Sequence, residues 1–264
     1  SYPFKGSQQQ LDQIGLFRPI TKWNALVNRW DRIPEMVQWA FREATSGRPG
    51  PVHLDINVDV LFANGEIDES AFLAPERYRT LVKPCGDPDA VDRAVEMLLE
   101  AEKPLIHAGG GVMRSKAWGE VRELAEYLQI PVTTSVSGRG TLPEDHPLLF
   151  LPKGMGAIMA ESTSDVVLNV GCTMSELDFW GKPNMWGEPA VQKFIYVDIE
   201  PSVIGLNRQF DLGIIGDAAM VLRQIVSRVK EETGPVSTRD YMAAYREMEA
   251  VSYTHLTLPT IYSV

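Results

Sequence analysis

The pattern of hydrophobic and polar residues becomes regular from position 89 onwards. Between 89 and 230, segments with one apolar face at helical spacing alternate with short apolar runs. Two of these runs, Val166-Val167-Leu168 and Phe194-Ile195-Tyr196-Val197, are apolar on both faces, which is typical of parallel strands covered by helices on both sides. The pattern therefore predicts an α/β fold with a doubly wound parallel sheet. The predicted strands are 104–108, 131–136, 165–171, 194–199 and 212–215, and the predicted helices are 89–100, 117–128, 155–162, one from Pro201 and 218–230.

The segments on either side follow different patterns. Residues 1–62 predict a partial α/β domain, with a helix that Asp31 can cap and that has Pro34 in its first turn, followed by a strand at 52–58. Residues 63–88 are polar and interrupted by prolines, which predicts a linker between domains. Residues 231–250 predict the start of a second linker, and 251–264, which contain no Asp, Glu, Lys or Arg, are interpreted as a non-native tail. Because position 1 is not Met, the chain is expected to be a fragment.

Charge and composition argue against several functional classes. The net charge is −10, from 25 Lys and Arg against 35 Asp and Glu, so a nucleic-acid partner is not expected. No apolar run approaches the roughly 20 residues that span a bilayer, so no membrane partner is expected. Cys85 and Cys172 lie far apart and outside any CxxC pattern, which favours two reduced thiols in a cytoplasmic protein. The histidines, at positions 53, 107, 146 and 255, lack metal-ligand spacing, so no metal site is predicted.

Small and polar residues follow the predicted strands at their carboxyl ends. In a parallel sheet these ends meet at one edge, where ligands bind beside the starts of helices. Glycines let a ligand approach the backbone, small hydroxyl side chains leave room for it, and carboxylates can hold a ribose hydroxyl. The candidate cofactor-binding residues are Gly109, Gly110, Gly111, Ser135, Val136, Ser137, Gly171, Asp198, Glu200 and Asp217.

Each of these groups also has a purely structural interpretation. The glycine triplet does not match G-x-G-x-x-G and can serve only as a tight turn. Asp198 can cap the helix near Pro201, and Asp217 can cap the helix that follows it. His53 and Asp55 suggest acid–base chemistry, but alternation along a half-buried strand explains them more simply. The five strand ends favour a dinucleotide-type site only when they are taken together.

A set of short stretches in a fixed order also carries a family resemblance. They are Arg18-Pro19-Ile20-Thr21-Lys22-Trp23, Ala44-Thr45-Ser46-Gly47-Arg48-Pro49-Gly50-Pro51-Val52-His53-Leu54-Asp55, Ile106-His107-Ala108-Gly109-Gly110-Gly111-Val112, Glu123-Leu124-Ala125-Glu126, Ile130-Pro131-Val132-Thr133-Thr134, Val197-Asp198-Ile199-Glu200-Pro201 and Ile215-Gly216-Asp217. Together they resemble thiamine-diphosphate enzymes of the acetolactate synthase type, over roughly residues 6–229.

The resemblance implies a Rossmann-like central domain at 89–230, preceded at 1–62 by the end of a pyrimidine-binding domain. It implies a homo-oligomeric carboligase, dimeric or tetrameric, that acts on 2-oxo acids in branched-chain amino acid biosynthesis with thiamine diphosphate and Mg²⁺. FAD, without a redox part in the main reaction, or ADP is expected in the central domain. By position, FAD would be lined by Gly109, Gly110, Gly111, Ser135, Val136, Ser137, Asp198 and Asp217.

The resemblance also implies that this chain alone is inactive. The family's activating glutamate precedes Ser1, and its magnesium-binding Gly-Asp-Gly motif does not occur in the sequence, where the nearest match is Gly216-Asp217-Ala218. No catalytic residue is therefore assigned.

Three departures from the family pattern leave the subfamily open. The usual Gly-x-Arg-Phe is Gly171-Cys172-Thr173-Met174, and Thr173 cannot replace a bidentate guanidinium. The usual Gly-Met-His-Gly is Lys153-Gly154-Met155-Gly156, and the usual Phe-Gln-Glu is Gln8-Gln9-Gln10. The nucleotide in the central domain can then be FAD or ADP, or be absent. The alternative functions are a 2-oxo acid or acyl-CoA decarboxylase and a non-catalytic nucleotide-binding or assembly module.

The loop that contains Trp180, Met185 and Trp186 is expected to line a pocket, to bury an interface or simply to pack.

Overall fold

The computed structural model describes residues 11–256. The chain divides into two compact units, Ser1–Val82 and Lys83–Val264, called unit 1 and unit 2 below. Gln8-Gln9-Gln10 and residues 257–264 of the interpreted tail lie outside the described residues. None of the helices that the structure describes has the length and apolar character needed to cross a membrane.

Unit 1 contains a small parallel sheet with helices around it. Its elements are α1 (Gln13–Phe17), β1 (Trp23–Val27), α2 (Ile33–Thr45), β2 (Val52–Ile56) and α3 (Val58–Leu61). Strands β1 and β2 pair in parallel, with Trp23 opposite Val52. A small apolar core forms where Val27, Met36 and Val60 are buried together.

The structure corrects two details of the prediction for unit 1. Strand β1 was not predicted. Asp31 does not cap α2, because it lies in a preceding 3-10 turn (Trp30–Arg32) and accepts a hydrogen bond from Arg29 Nε at 2.9 Å. Pro34 does lie in the first turn of α2, where its missing N–H has no helical partner to lose. His53 stacks on Phe17 with ring centroids 4.1 Å apart, which agrees with a structural role on β2.

Unit 2 is built on a five-stranded parallel sheet with helices on both faces, which confirms the predicted doubly wound fold. Its sheet order is β4-β3-β5-β6-β7. The strands are β3 (Pro104–Ala108), β4 (Val132–Thr134), β5 (Val166–Val170), β6 (Lys193–Asp198) and β7 (Leu212–Ile215), and the helices are α4 (Pro88–Glu100), α5 (Gly110–Ser115), α6 (Trp118–Leu128), α7 (Met155–Thr163), α8 (Ala218–Glu232) and α9 (Tyr241–Leu256).

Helices α4, α6 and α8 each bury an apolar face. Helix α4 begins with Pro88 in its first turn and Asp87 as its cap, whose carboxylate accepts a hydrogen bond from the backbone N–H of Ala90 at 3.0 Å. Helices α4 and α6 each pack against α8, and α7 packs against α9. Strand β5 and residues 194–197 of β6 are buried, as their apolar runs predicted, and β3 is buried along its whole length as well.

Three local features of unit 2 differ from the prediction. Helix α5 was not predicted and begins within the glycine triplet. The predicted helix from Pro201 is a single 3-10 turn, Pro201–Val203. Part of the predicted 63–88 linker is packed on unit 2, since Pro84 O accepts a hydrogen bond from Asp217 N at 2.9 Å and Gly86 N donates one to Gln224 Oε1 at 2.8 Å.

Candidate functional site

The sheet order places a crevice at the carboxyl ends of β3 and β5. The chain passes from β3 outward to β4 on one side, and from β5 outward to β6 and β7 on the other. In open parallel sheets, ligands bind where the direction of winding changes in this way. The loop after β3 contains Gly109, Gly110 and Gly111, and the loop after β5 starts at Gly171, so the predicted glycines lie at this position.

Three of these glycines bring the two loops into direct backbone contact. A β-carbon on Gly109 would lie 2.3 Å from Gly171 O, and one on Gly171 would lie 2.5 Å from the α-carbon of Gly111. Gly171 also has φ +60°, a left-handed conformation that glycine tolerates best. Gly109 N donates to Val170 O at 2.8 Å and Gly111 N donates to Gly171 O at 2.9 Å. These two N–H groups are paired within the protein, which leaves Gly110 as the glycine of the triplet that faces the neighbouring loop.

That neighbouring loop, after β4, provides the predicted hydroxyl side chains. Ser135 N donates to Ala108 O at 3.0 Å, which ties the loop to the end of β3. A β-carbon on Gly110 would lie 3.1 Å from that of Ser137. Ser135 is buried, whereas Val136 and Ser137 are exposed. The structure therefore brings together the glycines and the hydroxyl loop, namely Gly109, Gly110, Gly111, Ser135, Val136, Ser137 and Gly171.

Arg114 is a candidate residue that the sequence analysis missed. A β-carbon on Gly110 would lie 3.2 Å from a guanidinium nitrogen of Arg114, so the charge lies directly beside the glycine triplet. Helix α5 makes this possible, because residues four apart lie on one helical face. The four-residue spacing between Gly110 and Arg114 becomes informative only once α5 is known to begin at Gly110. Arg114 therefore provides a guanidinium near the crevice, whereas the loop after β5 has Thr173 at the position where the family pattern has an arginine.

Asp198 and Glu200 shape the turn after β6. Asp198 Oδ1 accepts from Glu200 N at 2.9 Å, and Glu200 Oε1 accepts from Ser202 N at 3.2 Å and Ser202 Oγ at 2.8 Å. Both carboxylates are partly exposed, and Asp198 ends the strand next to β5. Asp198 therefore remains a predicted ribose-binding group, with Glu200 stabilising the turn beside it.

Asp217 occupies a structural network at the far edge of the sheet. Its carboxylate caps α8 through the N–H groups of Ala219 (3.2 Å) and Met220 (3.3 Å). It also accepts from Ser115 Oγ at 2.7 Å and pairs with Lys83 Nζ at 3.2 Å. These contacts match the capping interpretation and link the end of α5 to the start of α8.

Replacing Asp217 by alanine is expected to lower the free energy of unfolding by about 2 kcal/mol, because a helix cap and a buried hydrogen-bond acceptor are lost together. The matched control is Asp87→Ala, which removes the exposed cap of α4 and should lower it by about 1 kcal/mol. Urea unfolding followed by circular dichroism measures both. Equal losses would show that Ser115 and Lys83 add nothing to the cap.

A row of polar side chains crosses the buried sheet beneath the crevice. His107 on β3 is in register with Thr133 on β4 and Asn169 on β5, and Asn169 is in register with Tyr196 on β6. All four residues are at most 1% exposed. Buried parallel strands are usually apolar at every position, so this row is an exception.

His107 lies between carboxylates contributed from outside the sheet. Its Nδ1 is 2.9 Å from Thr133 Oγ1 and 3.7 Å from a carboxylate oxygen of Glu161 on α7, and its Nε2 is 3.8 Å from Asp178 Oδ1. Burial alone would lower the pKa of His107, but interaction with Asp178 and Cys172 outweighs it and raises the pKa to about 10. Burial raises the pKa of Glu161 to about 7, although His107 opposes this effect.

A small pocket lies beside His107, and the aromatic loop after β5 forms one of its walls. Trp186 is buried, donates from Nε1 to Asp178 O at 2.9 Å and meets the His107 ring edge-on at 5.0 Å. Trp180 is exposed and lies over Lys182 Nζ. The pocket lining includes His107, Val136, Glu161, Asp178, Met185 and Trp186. Of the predicted alternatives for this loop, pocket lining describes both Met185 and Trp186, and packing also describes the buried Trp186.

Comparison with known proteins gives a consistent result. Residues 91–225 match the family described as the thiamine pyrophosphate enzyme, central domain. The chain is similar to the probable acetolactate synthase large subunit of Methanocaldococcus jannaschii, with 40% identity over 83% of this chain and 37% of the relative. It is also similar to the acetolactate synthase of Arthrospira platensis (36% identity; 83% of this chain, 39% of the relative) and to that of Mycobacterium bovis (33%; 93% and 40%). The chain thus spans about two fifths of the length of these curated relatives.

Proposed function

This chain belongs to the thiamine pyrophosphate enzyme family, whose central domain it contains, and on that premise we propose that it is part of an acetolactate synthase-type carboligase acting on 2-oxo acids. The proposal is supported by the three relatives, each of which is named an acetolactate synthase. Since the chain spans about two fifths of their length, the activity is that of a longer protein, which we propose to be a cytoplasmic homo-oligomer in branched-chain amino acid biosynthesis.

Thiamine diphosphate supplies the electron sink for this type of reaction. We infer that the cofactor and its Mg²⁺ are held outside this chain, because the sequence has no Gly-Asp-Gly motif. Gly216-Asp217-Ala218 does not substitute for it, since the Asp217 carboxylate is engaged with α8, Ser115 and Lys83. The chain alone is therefore expected to have no carboligase activity.

The contribution of this chain is a nucleotide site in the crevice between β3 and β5. The observation that carries it is the close backbone contact of Gly109, Gly111 and Gly171, three positions at the ends of these two strands that carry no side chain of their own. Gly110, Ser137 and Arg114 fit a diphosphate, because a small surface and a guanidinium lie side by side. Asp198 fits a ribose hydroxyl. In this proposal the bound nucleotide fills the crevice and holds the surrounding loops in place. It takes no redox part in the main reaction.

Nucleotide binding tests this function on the full chain. We expect saturable binding of FAD, detected by quenching of tryptophan fluorescence and by a rise in melting temperature. Arg114→Ala should weaken binding by about 10- to 100-fold, since a hydrogen bond to a charged group contributes about 1.5–3 kcal/mol. The matched control is Arg93→Ala, which removes the same charge from an exposed position on α4 and should leave binding unchanged.

The choice of nucleotide separates the alternatives. Binding of FAD supports the carboligase. If the chain binds ADP but not FAD, the result supports an acyl-CoA decarboxylase of the same family. Absence of binding by either nucleotide, in a folded chain, contradicts the nucleotide site.

A further inference from the structure

Three different metal-binding atoms converge beneath the crevice. The Nε2 of His107, the Sγ of Cys172 and a carboxylate oxygen of Asp178 all lie within 4.8 Å of one another. The three side chains are at most 8% exposed. Nε2 of His107 has no hydrogen-bond partner among the described residues, although it is buried and faces the carboxylate of Asp178. A buried nitrogen without a partner needs an explanation, because leaving it so is unfavourable.

The other ring nitrogen of His107 is already held in place. Nδ1 lies 2.9 Å from Thr133 Oγ1 and 3.7 Å from the Glu161 carboxylate. Metal-binding histidines are oriented in this way, because a hydrogen bond at one nitrogen directs the other nitrogen to the ion and increases its basicity. Once a metal ion has displaced the proton from Nε2, this nitrogen is free to bind the ion on the side that faces Cys172 and Asp178.

The sulfur of Cys172 is placed in a similar way. It donates a hydrogen bond to Asp178 Oδ2 at 3.3 Å and accepts one from the backbone N–H of Met174 at 3.4 Å. A metal ion that binds here would displace the thiol proton, because the thiolate is the form that binds metals. Ligand atoms bound to one tetrahedral zinc ion lie roughly 3.3–3.8 Å apart, given bond lengths of about 2.0–2.3 Å. Cys172 Sγ lies 3.3 Å from Asp178 Oδ2, His107 Nε2 lies 3.8 Å from Asp178 Oδ1, and the ligand atoms lie within 4.8 Å of one another, so side-chain movements of about 1 Å would bring them to these separations.

From this geometry we infer a site for a single zinc-type divalent ion, bound by His107 Nε2, Cys172 Sγ and Asp178. Nitrogen, thiolate and carboxylate ligands in this combination select Zn²⁺ over Mg²⁺ or Ca²⁺, which prefer oxygen. Neutral His107 with anionic Cys172 and Asp178 gives a ligand charge of −2, which one divalent ion balances. The site is then neutral overall, as its burial requires.

The fourth position of such an ion faces the pocket beside His107. This pocket is lined by Asp178, Glu161 and Trp186 among other residues, and it gives the ion a route of entry. A zinc ion with three protein ligands keeps one position for water or a ligand. The site lies under the β3–β5 crevice, because His107 and Cys172 lie two residues before Gly109 and one after Gly171.

These ligands escaped the prediction from the sequence, which found no metal spacing among the histidines. Cys172 and Asp178 lie in one loop, but His107 is on another strand 65 positions earlier in the chain than Cys172. The fold brings them together through the pairing of β3 with β5. The alternative arrangement is a metal-free ion pair between protonated His107 and Asp178.

Cobalt titration distinguishes the two arrangements, because Co²⁺ substitutes for Zn²⁺ and absorbs light. The full chain, stripped with a chelator, is titrated with CoCl₂. We expect one equivalent to produce a thiolate-to-cobalt charge-transfer band in the near ultraviolet and the visible bands of four-coordinate cobalt. Cys172→Ser should lose the charge-transfer band, whereas Cys85→Ser, which changes the exposed cysteine, should retain it.

Two near-isosteric variants test the remaining parts of the site. Asp178→Asn removes a ligand charge and should weaken Zn²⁺ binding, measured by competition with a chromogenic chelator, at least 10-fold. Glu161→Gln changes only the group behind His107 and should weaken it by about 10- to 100-fold. Circular dichroism shows whether each variant is folded.

Two results would overturn the site. One is the absence of a charge-transfer band in the folded parent chain, which would leave the ion pair as the explanation. The other is a band that survives Cys172→Ser and disappears with Cys85→Ser, which would place the bound cobalt at the exposed cysteine. Both readouts are independent of nucleotide binding and of carboligase activity.

Discussion

Gly171→Ala is expected to lower the free energy of unfolding of unit 2 by about 2–4 kcal/mol. The added methyl group would lie 2.5 Å from the α-carbon of Gly111, so one of the two loops must move, at a cost of about 1–3 kcal/mol. The left-handed conformation of residue 171, with φ +60°, adds about 1 kcal/mol for any residue with a β-carbon. Urea unfolding of the full chain, followed by circular dichroism, measures the loss.

A second glycine provides the matched control. Gly119 lies exposed in α6, and a β-carbon there would have no neighbour within 4 Å. Gly119→Ala should therefore leave the protein as stable as the parent or raise its stability by up to about 1 kcal/mol, since alanine favours helix. If Gly171→Ala unfolded at the same urea concentration as Gly119→Ala, the close contact between the loops would be disproved.

Trp186→Ala is expected to lower the free energy of unfolding by about 3–5 kcal/mol. Its side chain is 2% exposed and packs between His107 and Phe194, so its removal leaves a large cavity. The Nε1 hydrogen bond to Asp178 O is lost as well, which frees the loop that carries this carboxylate. Thermal and urea unfolding both measure the effect.

Trp180 in the same loop is the control for size and chemistry. It is 40% exposed and its main partner is Lys182, whose Nζ lies 5.0 Å from the ring centroid. Trp180→Ala should change the free energy of unfolding by less than about 1 kcal/mol. A loss as large as that of Trp186→Ala would show that the loop as a whole, and not the buried ring, provides the stability.

The sheet of unit 2 could be predicted from the sequence because its central strands are apolar on both faces. Val166-Val167-Leu168 has few alternatives to a buried parallel strand, and β5 occupies this position. Helix α5 could not be predicted, since it begins at Gly110 in a glycine-rich stretch that by itself indicates a turn. Strand β1 was missed because the sequence Trp23–Val27 shows no regular alternation of apolar and polar residues.

The candidate site was predictable in part for a similar reason. Residues that follow parallel strands lie at one edge, so Gly109, Ser137 and Gly171 could be grouped from their positions alone. Arg114 required knowledge of α5, and the capping role of Asp217 could only be stated as an alternative. The cluster of His107, Cys172 and Asp178 depends on the pairing of β3 with β5, which no spacing along the chain reveals.

The polar row of His107, Thr133, Asn169 and Tyr196 has a consequence for folding. Strands that are apolar on both faces carry little information about their alignment, because a shift by one residue exchanges one apolar face for another. Here such a shift would move a polar side chain to the opposite face of the sheet. Between β3 and β4 it would also separate His107 Nδ1 from Thr133 Oγ1, which lie 2.9 Å apart. Each misplaced polar group would cost about 1–3 kcal/mol. The row therefore selects a single alignment of four neighbouring strands and disfavours misfolded sheets that would bury as much apolar surface.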